Sequence, residues 1–486
     1  ICILGDYDVD GTAASSLLIR YFLHIKQKHF YHIPDREKDG YGATKKLFKK
    51  LMSKKPNLVI MVDCGSTSNE AIDYLNQNNV KSIIIDHHEI NKPFPKSNVI
   101  MNPKKDTNYN DYDYLCATTL TYFFIDLMVQ KTKSKFRISD FLIYVLLATI
   151  ADVMPLRKFN KIIASNVIRN FKLDNNLAFK TIFNHLELKK NVTIDDLGFL
   201  IGPIINSGGR LGYSNYGTEL LTSDDIDTVK KKSVKLINLN NLRKKIEKNI
   251  LDQIDFQKIY NQNKNVIIYH NNKIPEGIIG IIAARLKDHF NKPSIVLTKS
   301  NNILKASARS TKNYNIGKLI KLLSQKKIIE SGGGHNMAAG FSINKDNLDL
   351  LDDFIQNDYK KKNNTPEMIF NYDTELSASA INTSFYNEIS KIGPFGCDNI
   401  LPIFLIKNVK IFKSNLVGKN HINAIVKSKA GHHIRALCFN CVNTQLGEYL
   451  LSYKKKINLI AQITQNSFNN KKSIQLDIKD LFLLAD

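Results

Sequence analysis

The chain has 486 residues, 69 of them Lys or Arg and 45 Asp or Glu, for a formal net charge of +24 at neutral pH. A prior of roughly 150 residues per domain suggests about three domains, and 43% hydrophobic with 23% charged residues excludes a disordered or collagen-like chain. The longest apolar run, residues 141–151, falls short of the ~20 residues a spanning helix needs, so no membrane partner is expected.

The sequence opens on Ile1 inside an apolar run, so a preceding segment, with any targeting signal in it, is expected outside this sequence. Three short apolar runs, residues 1–4, 58–62 and 82–85, each end within a step or two in acidic residues and are spaced by helical text such as 12–22. That alternation predicts a parallel sheet with crossover helices. Ligands of open α/β sheets collect at the carboxyl ends of the strands, so the acidic loops should face one crevice. Residues 117–154 read as strongly apolar helix, and helical text continues to about 221. Residues 224–260, with Asp224, Asp225 and Asp227 at the start and no Pro or Gly, predict one long helix joining two lobes. A strand at 266–269, a helix at 277–290 and a strand at 294–298 give a second, smaller α/β lobe. After a polar linker at 360–366, the last ~115 residues alternate in short runs with Gly and Asn turns, as in a small β-barrel. The expected boundaries are 1–222, 223–262, 263–360 and 368–486.

The first acidic loop, Gly5-Asp6-Tyr7-Asp8-Val9-Asp10-Gly11, holds three carboxylates in five residues. Burying such like charges is costly unless cations neutralise them. A preceding strand and the absent Glu disfavour a helix-loop-helix calcium site; an ordinary acidic turn at a helix start is the plainer alternative for this loop alone. Asp63 ends the second run, and Asp86-His87-His88-Glu89 ends the third. Asp152 sits in one of the most apolar stretches, where a buried carboxylate needs a partner. Hard oxygen donors with one or two imidazoles suit Mn²⁺ or Mg²⁺ better than zinc, and room for a bridging ligand suggests two ions ~4 Å apart, the arrangement that activates water for phosphoester hydrolysis.

Six cysteines (Cys2, Cys64, Cys116, Cys397, Cys438, Cys441) are too few for a disulfide scaffold, which points to a reducing cytoplasm, and Cys438-Phe-Asn-Cys441 lacks the second half of a zinc site. The positive charge fits a polyanionic partner, but with ten Arg beside 59 Lys it fits a compositional bias equally well.

The acidic segments, in this order, resemble the DHH phosphoesterase superfamily, named for the triplet at Asp86-His87-His88. Later segments narrow the resemblance: 202–211 (GPIINSGGRL), 277–283 (GIIGIIA), 306–310 (ASARS), 332–340 (GGGHNMAAG), 393–396 (GPFG) and 399–404 are similar to RecJ-type single-strand-specific 5′ to 3′ exonucleases, so the likeness covers nearly the whole chain. It implies that Asp8 and Asp63, with Asp6, hold one metal ion, that Asp10, Asp63, His87 and Asp152 hold the other, with Asp63 bridging, and that His88 approaches the scissile phosphate. Two Mn²⁺ or Mg²⁺ ions are the implied cofactors. Arg36, Arg210, Ser307, Arg309, Gly333, Gly334 and His335 are expected to grip nucleotide phosphates, because a guanidinium clamps two oxygens and Gly-rich turns bring N–H groups close to an anion. The terminal barrel, an expected OB-like fold with 14 Lys/Arg against eight Asp/Glu from residue 371 on and Phe395, Phe404, Phe412, Tyr449 and Phe468 interleaved, is expected to hold single-stranded DNA, although most of those rings fit a core equally well. The implied activity is exonuclease action in DNA repair and recombination, by a monomer, with a single-strand-binding protein or a helicase as a partner. The alternatives are a DHH phosphodiesterase acting on short oligonucleotides or cyclic dinucleotides, against which residues 371–486 argue, and a non-catalytic single-strand-binding scaffold, against which the intact acidic set argues.

Overall fold

A computed structural model of the chain describes residues 1–486 apart from 36, 37, 41, 363–370, 419, 443, 453, 454, 469, 470 and 484–486. The chain forms two compact units, residues 1–154 with 166–366, and residues 155–165 with 367–486.

The first unit starts with a five-stranded, wholly parallel sheet in the order β2-β1-β3-β4-β5, formed by β1 (Cys2–Leu4), β2 (Phe30–His32), β3 (Leu58–Val62), β4 (Lys81–Ile85) and β5 (Val99–Met101). The three central strands are the apolar runs read from sequence. Both edge strands escape that reading because each has three residues and none of the six is fully buried. Helix α1 (Val9–His24) starts three residues before the expected 12–22, so Asp10 lies in its first turn. Its small residues Ala13, Ala14, Ser15 and Ser16 are all buried.

Helices α2 (Lys45–Leu51) and α3 (Asn69–Gln77) are crossovers. The expected block at 117–154 is broken: α4 (Ala117–Thr132) ends on Lys133 in a left-handed conformation, and after a 3₁₀ turn α5 (Leu142–Ala151) begins. Then come α6 (Lys158–Asn170), whose residues to 165 count with the second unit, α7 (Leu177–His185) and α8 (Ile194–Asp196), which runs through a π-helical turn at Leu197–Ile201 into α9 (Gly202–Arg210), and α10 (Asn215–Thr222).

The helix expected over 224–260 is two. Asp225 caps α11 (Ile226–Asp252) by accepting the Thr228 N–H at 2.8 Å, and Asp255 starts α12 (Phe256–Asn261) by accepting the Lys258 N–H at 2.9 Å. An Asp that caps a new helix offers the backbone an alternative to continuing the old one. Helix α11 is no bare spacer: Val229, Ser233, Leu236, Ile237 and Asn240 are buried against α7, α9 and α10.

The second sheet of this unit runs β6-β7-β8-β10-β9, from β6 (Ile267–His270), β7 (Ser294–Ser300), β8 (Ile303–Arg309), β9 (Ser331–Gly334) and β10 (Ala338–Ile343), with α13 (Ile279–Phe290), α14 (Ile316–Gln325) and α15 (Leu348–Lys362). Only β6 and β7 pair in parallel; the rest is antiparallel. The Gly-rich segment read as a turn is thus an edge strand at Ser331–Gly334. The linker expected to start at 360 begins inside α15; its remainder, from 363, lies outside the described residues.

The second unit contains β11 (Thr374–Leu376), α16 (Thr383–Ser390), β12 (Ile403–Val417), β13 (His421–Lys427), β14 (His433–Cys438), α17 (Gln445–Ser452), β15 (Lys456–Phe468) and β16 (Lys471–Leu483). The neighbours β12-β13-β14-β16-β15 close on β12, giving a five-stranded barrel of OB type. Strand β12 manages this by bulging between Ile406 and Val409 and between Ile411 and Lys413, so that its first half pairs with β15 and its second with β13. Inward residues such as Ile406, Val409, Ile422, Ala424 and Val426 fill the core.

Candidate metal centre and strand-gripping surfaces

All four acidic segments converge at the carboxyl ends of β1, β3 and β4 and at the end of α5. Asp8 caps α1, accepting the Gly11 N–H at 3.0 Å. Asp10 is buried with its carboxylate at the amino end of α4, accepting the N–H groups of Ala117 at 2.7 Å and Thr118 at 2.8 Å, where the helix dipole favours an anion. Asp63 follows β3 with φ +59°, a left-handed conformation that Asp tolerates better than most residues. It is 1% exposed and neither carboxylate oxygen has a hydrogen-bond partner. His87 Nε2 stands 3.6 Å from Asp10 Oδ2, 3.4 Å from Asp63 Oδ1 and 3.4 Å from Asp152 Oδ2. Ligand atoms of Asp6, Asp8 and Asp63 lie within 4.8 Å of one another, as do those of Asp10, His87 and Asp152, and of Asp63, His87 and His88.

Asp86, though part of the triplet, supports the others. Its Oδ1 accepts the backbone N–H of His87 at 2.8 Å and lies 2.8 Å from His88 Nδ1, and its Oδ2 accepts the Ser66 N–H at 3.0 Å. Burial alone would raise its pKa, but the hydrogen bond and charge of His88 hold it well below the usual carboxylate range. Burial likewise opposes the His88 cation, yet its hydrogen bond to Asp86 and the charges of Asp86, Asp6 and Asp8 push its pKa up to about 9. Burial lowers His87 to about 4, leaving it a neutral donor. Asp63, and Asp152 beside it, are pushed well above the ordinary carboxylate value by burial and then by the charge of Asp10 and Asp8. An acidic pocket this poorly compensated without a cation is what hard divalent ions stabilise.

One glycine of 202–211, Gly209, answers to this loop. A Cβ on Gly209 would lie 2.5 Å from the Tyr7 carbonyl oxygen and 2.9 Å from Tyr7 Cβ, so α9 can press on the Asp6–Asp8 turn only where a side chain is missing.

Of the expected phosphate-binding residues, Ser307 and Arg309 come together on β8: Arg309 Nη1 lies 3.2 Å from Ser307 Oγ, and a Cβ on Gly280, in the first turn of α13, would sit 3.0 Å from both side chains. The pair therefore flanks a helix amino end. Gly333 and Gly334 lie on the exposed edge strand β9, and His335, just beyond it, faces the metal site: its ring stacks on His88 with centroids 5.8 Å apart, and its Nδ1 is 3.7 Å from Glu89 Oε1. Arg210 Nη1 instead donates to the Gly277 carbonyl at 2.9 Å, holding α9 to the segment before α13. Arg36 lies outside the described residues. Of the arginines outside those segments, Arg20 bonds the Leu221 carbonyl and Asp224, and Arg243 and Arg285 share the buried Glu247.

Sequence reasoning missed several supports: Asn102, whose Nδ2 donates to Ser66 Oγ and to the His88 carbonyl, Lys104, 3.1 Å from Glu89, and the Ala117 and Thr118 amides. Recognising β5 would have placed Asn102 and Lys104 at the same sheet end; backbone donors leave no sequence signal. Cys438 and Cys441 are buried and the Cys441 thiol donates to the Cys438 carbonyl; no metal-ligand group among the described residues includes them.

On the barrel, Phe404 is core, and Phe395 and Tyr449 pack on it. Phe412 is 59% exposed, its ring stacks on His433 with centroids 4.7 Å apart, and Lys427 Nζ lies 5.7 Å from its centroid. The Phe468 side chain lies outside the described residues. No described helix is long and apolar enough to cross a membrane.

Comparison with known proteins follows the same segments. Family models match at residues 1–150 (DHH family, N-terminal domain), 263–361 (DHHA1 domain) and 372–480 (RecJ OB domain). The chain is 25% identical to the single-stranded-DNA-specific exonuclease RecJ of Bacillus subtilis over 99% of its own length, and spans 61% of that relative. It superposes on the crystal structure of Thermus thermophilus RecJ in complex with Mn²⁺ with TM-score 0.84 at 19% identity, covering 100% of this chain and 69% of that one. The Mg²⁺ complex gives TM-score 0.73 at 17% identity, covering 100% and 67%.

Proposed function

The chain belongs to the RecJ-type DHH phosphoesterases, and from that premise we propose that it is a metal-dependent exonuclease hydrolysing single-stranded DNA from the 5′ end. The observation that carries this is Asp63, a buried carboxylate with both oxygens bare of hydrogen bonds at the meeting point of two ligand sets. The donor chemistry, carboxylate oxygens with one neutral imidazole, fits Mn²⁺ or Mg²⁺. Asp6, Asp8 and Asp63 would hold one ion, and Asp10, Asp63, His87 and Asp152 the other. When bound, such ions supply Lewis-acid activation of water and charge stabilisation at the phosphoryl group.

The chain's own residues do the rest. Asp10 is fixed by the α4 amides, so its position owes nothing to the cation. His88 is locked through Nδ1 to Asp86, whose hydrogen bond and charge favour its cationic form, and it would offer its other N–H to a phosphoryl oxygen. Ser307 and Arg309, on β8 beside the start of α13, receive the terminal 5′ phosphate, and His335, reaching His88, lines the path between. The contacts of His335 with His88 and Glu89 bring the Gly-rich edge strand up to the metal loop, which supports passage of one strand rather than a duplex. The exposed Phe412–His433 pair with Lys427 gives the barrel a stacking surface for unpaired bases. A monomer working in the cytoplasm in repair and recombination, fed by a single-strand-binding protein or a helicase, completes the reading.

The test is the purified chain with Mn²⁺ on end-labelled single-stranded, duplex and dinucleotide substrates, beside Asp63→Ala and Asp152→Ala. Mononucleotides released from the 5′ end of long single strands, with both variants nearly inactive, are expected. Cleavage confined to duplex or dinucleotide, or full activity in both variants, overturns the reading.

A further inference from the structure

Away from the metal ligands, the corner between α9 and α10 carries a pair of tyrosines that the mechanism does not use. Tyr213 and Tyr216 have ring centroids 5.0 Å apart at 37°. Lys232 Nζ, from α11, sits 3.8 Å from the Tyr216 centroid, and Lys235 Nζ 5.1 Å from that of Tyr213. Lys232 is also ion-paired to Glu219, so the Tyr216 ring is held from beneath, while Tyr213 is 38% exposed. The corner is attached to the metal loop: Gly209, four residues before Tyr213, packs on Tyr7, and Gly217, one after Tyr216, packs on Thr12 of α1, where a Cβ would come within 2.9 Å of Thr12 Cγ2.

Helix α11 continues the surface. Over Ile226–Asp252 it has eight Lys or Arg against three Asp or Glu. Lys232 and Arg243 are spent on Glu219 and Glu247; Lys230, Lys231, Lys235, Lys244, Lys245 and Lys248 are exposed and have no ion-pair partner among the described residues. Rings held by cations, one of them exposed, and followed by a run of unneutralised lysines match a polyanion with unpaired planar groups.

We propose that Tyr213 and Tyr216, with Lys230, Lys231 and Lys235, form a second single-strand contact on the metal-binding unit itself, the rings stacking on bases and the lysines neutralising phosphates. This rests on the nuclease reading above and adds a strand-binding surface separate from the barrel. A duplex has no free base faces for such rings, and an acidic polypeptide would use the lysines without the rings.

The experiment measures binding of fluorescent single-stranded 20-mers and duplexes to the full chain in EDTA, where hydrolysis is blocked, across a salt series. The variants are Tyr213→Ala/Tyr216→Ala, Tyr213→Phe/Tyr216→Phe and Lys230→Gln/Lys231→Gln/Lys235→Gln. Stacking at one base predicts about five-fold or greater loss in the Ala pair and retention in the Phe pair, since the ring and not the hydroxyl is used. Three lost phosphate contacts should flatten the slope of log affinity on log salt by about two. Loss in the Phe pair equal to that in the Ala pair, an unchanged salt slope, or an Ala pair that binds single strands like wild type overturns the proposal. So does loss confined to the Lys variant together with equal competition by polyglutamate, which assigns the surface to an acidic protein. If wild type hydrolyses single strands while the variants bind them normally, this inference alone fails; if wild type neither binds nor hydrolyses them, the functional reading fails with it.

Discussion

Asp63→Asn isolates the charge at the centre of the site. Asn adopts positive φ readily, so the φ of +59° survives the change, and the amide nearly matches the carboxylate in volume. In the metal-free protein the Asp63 charge faces ligand oxygens of Asp6 and Asp8 within 4.8 Å. At an effective dielectric near 20, each such pair costs about 3 kcal/mol. The attraction to protonated His88, whose Nδ1 is 3.6 Å away, offsets roughly 4 kcal/mol of that. These pairs leave metal-free Asp63→Asn more stable than wild type by about 2 kcal/mol, or about 3 °C in melting temperature for a unit of this size, and the Asp10 charge, which also opposes ionisation of Asp63, adds to the difference. With Mn²⁺ the order reverses: wild type at a hundred-fold excess over Kd gains about 2.7 kcal/mol per site, whereas the variant, lacking the shared ligand, gains little. Thermal melts of both proteins in EDTA and in a Mn²⁺ series, with single-strand hydrolysis measured in parallel, decide the matter. A variant less stable than wild type in EDTA, or one that keeps the full Mn²⁺ shift and hydrolysis within ten-fold of wild type, would refute the account of Asp63.

Three further outcomes are expected. His88 has its pKa raised to about 9, so its contribution to metal-free stability is complete below about 6.5, the ordinary His value, and is lost as pH rises through about 9; melts between pH 6 and 10 should show wild type falling relative to His88→Gln, and parallel curves would disprove it. Arg309→Ala should lower kcat/KM on 5′-phosphorylated strands by about 100-fold, the scale of a lost charged hydrogen bond, and remove the preference over 5′-hydroxyl strands; an equal loss on both substrates means Arg309 does not read the end. Gly209→Ala should cost about 1–3 kcal/mol by overpacking and weaken Mn²⁺ binding through the displaced Tyr7 turn, read by urea denaturation and by Mn²⁺ titration; unchanged Mn²⁺ affinity would separate α9 from the site.

What the sequence made legible was chemistry held in side chains and in long patterns. The runs at 58–62 and 82–85 marked two central strands because burial on both faces demands continuous apolar residues. The three-residue edge strands Phe30–His32 and Val99–Met101 bury too little to carry a period, and with β5 went Asn102 and Lys104. Asp255 shows a second kind of loss: the 224–260 pattern has helical spacing throughout, and only a local competition between capping and continuation splits it. Gly332–Gly334 read as a turn because composition cannot distinguish a strand that pairs on one edge from a loop. Arg243 and Arg285 show what a charge total hides, since both are consumed by a buried Glu247 that composition cannot locate. Asp10 was legible as an acid but not as an anchored one, since its partners are the backbone amides of Ala117 and Thr118, 107 and 108 residues away.

That last distance has a consequence for biosynthesis. The proposed ligands enter the chain at residues 6 to 10, then 63, then 87, and finally 152, and the amides that orient Asp10 belong to a helix starting at Ala117. A ribosome-bound or prematurely terminated product ending before α5 can display the acidic loop, yet it lacks the residue that closes the second ligand set. If the proposed ligand set is what hydrolysis needs, activity waits until the whole metal-binding sheet and its covering helices have been made, and a fragment ending before Asp152 cannot complete the second ligand set.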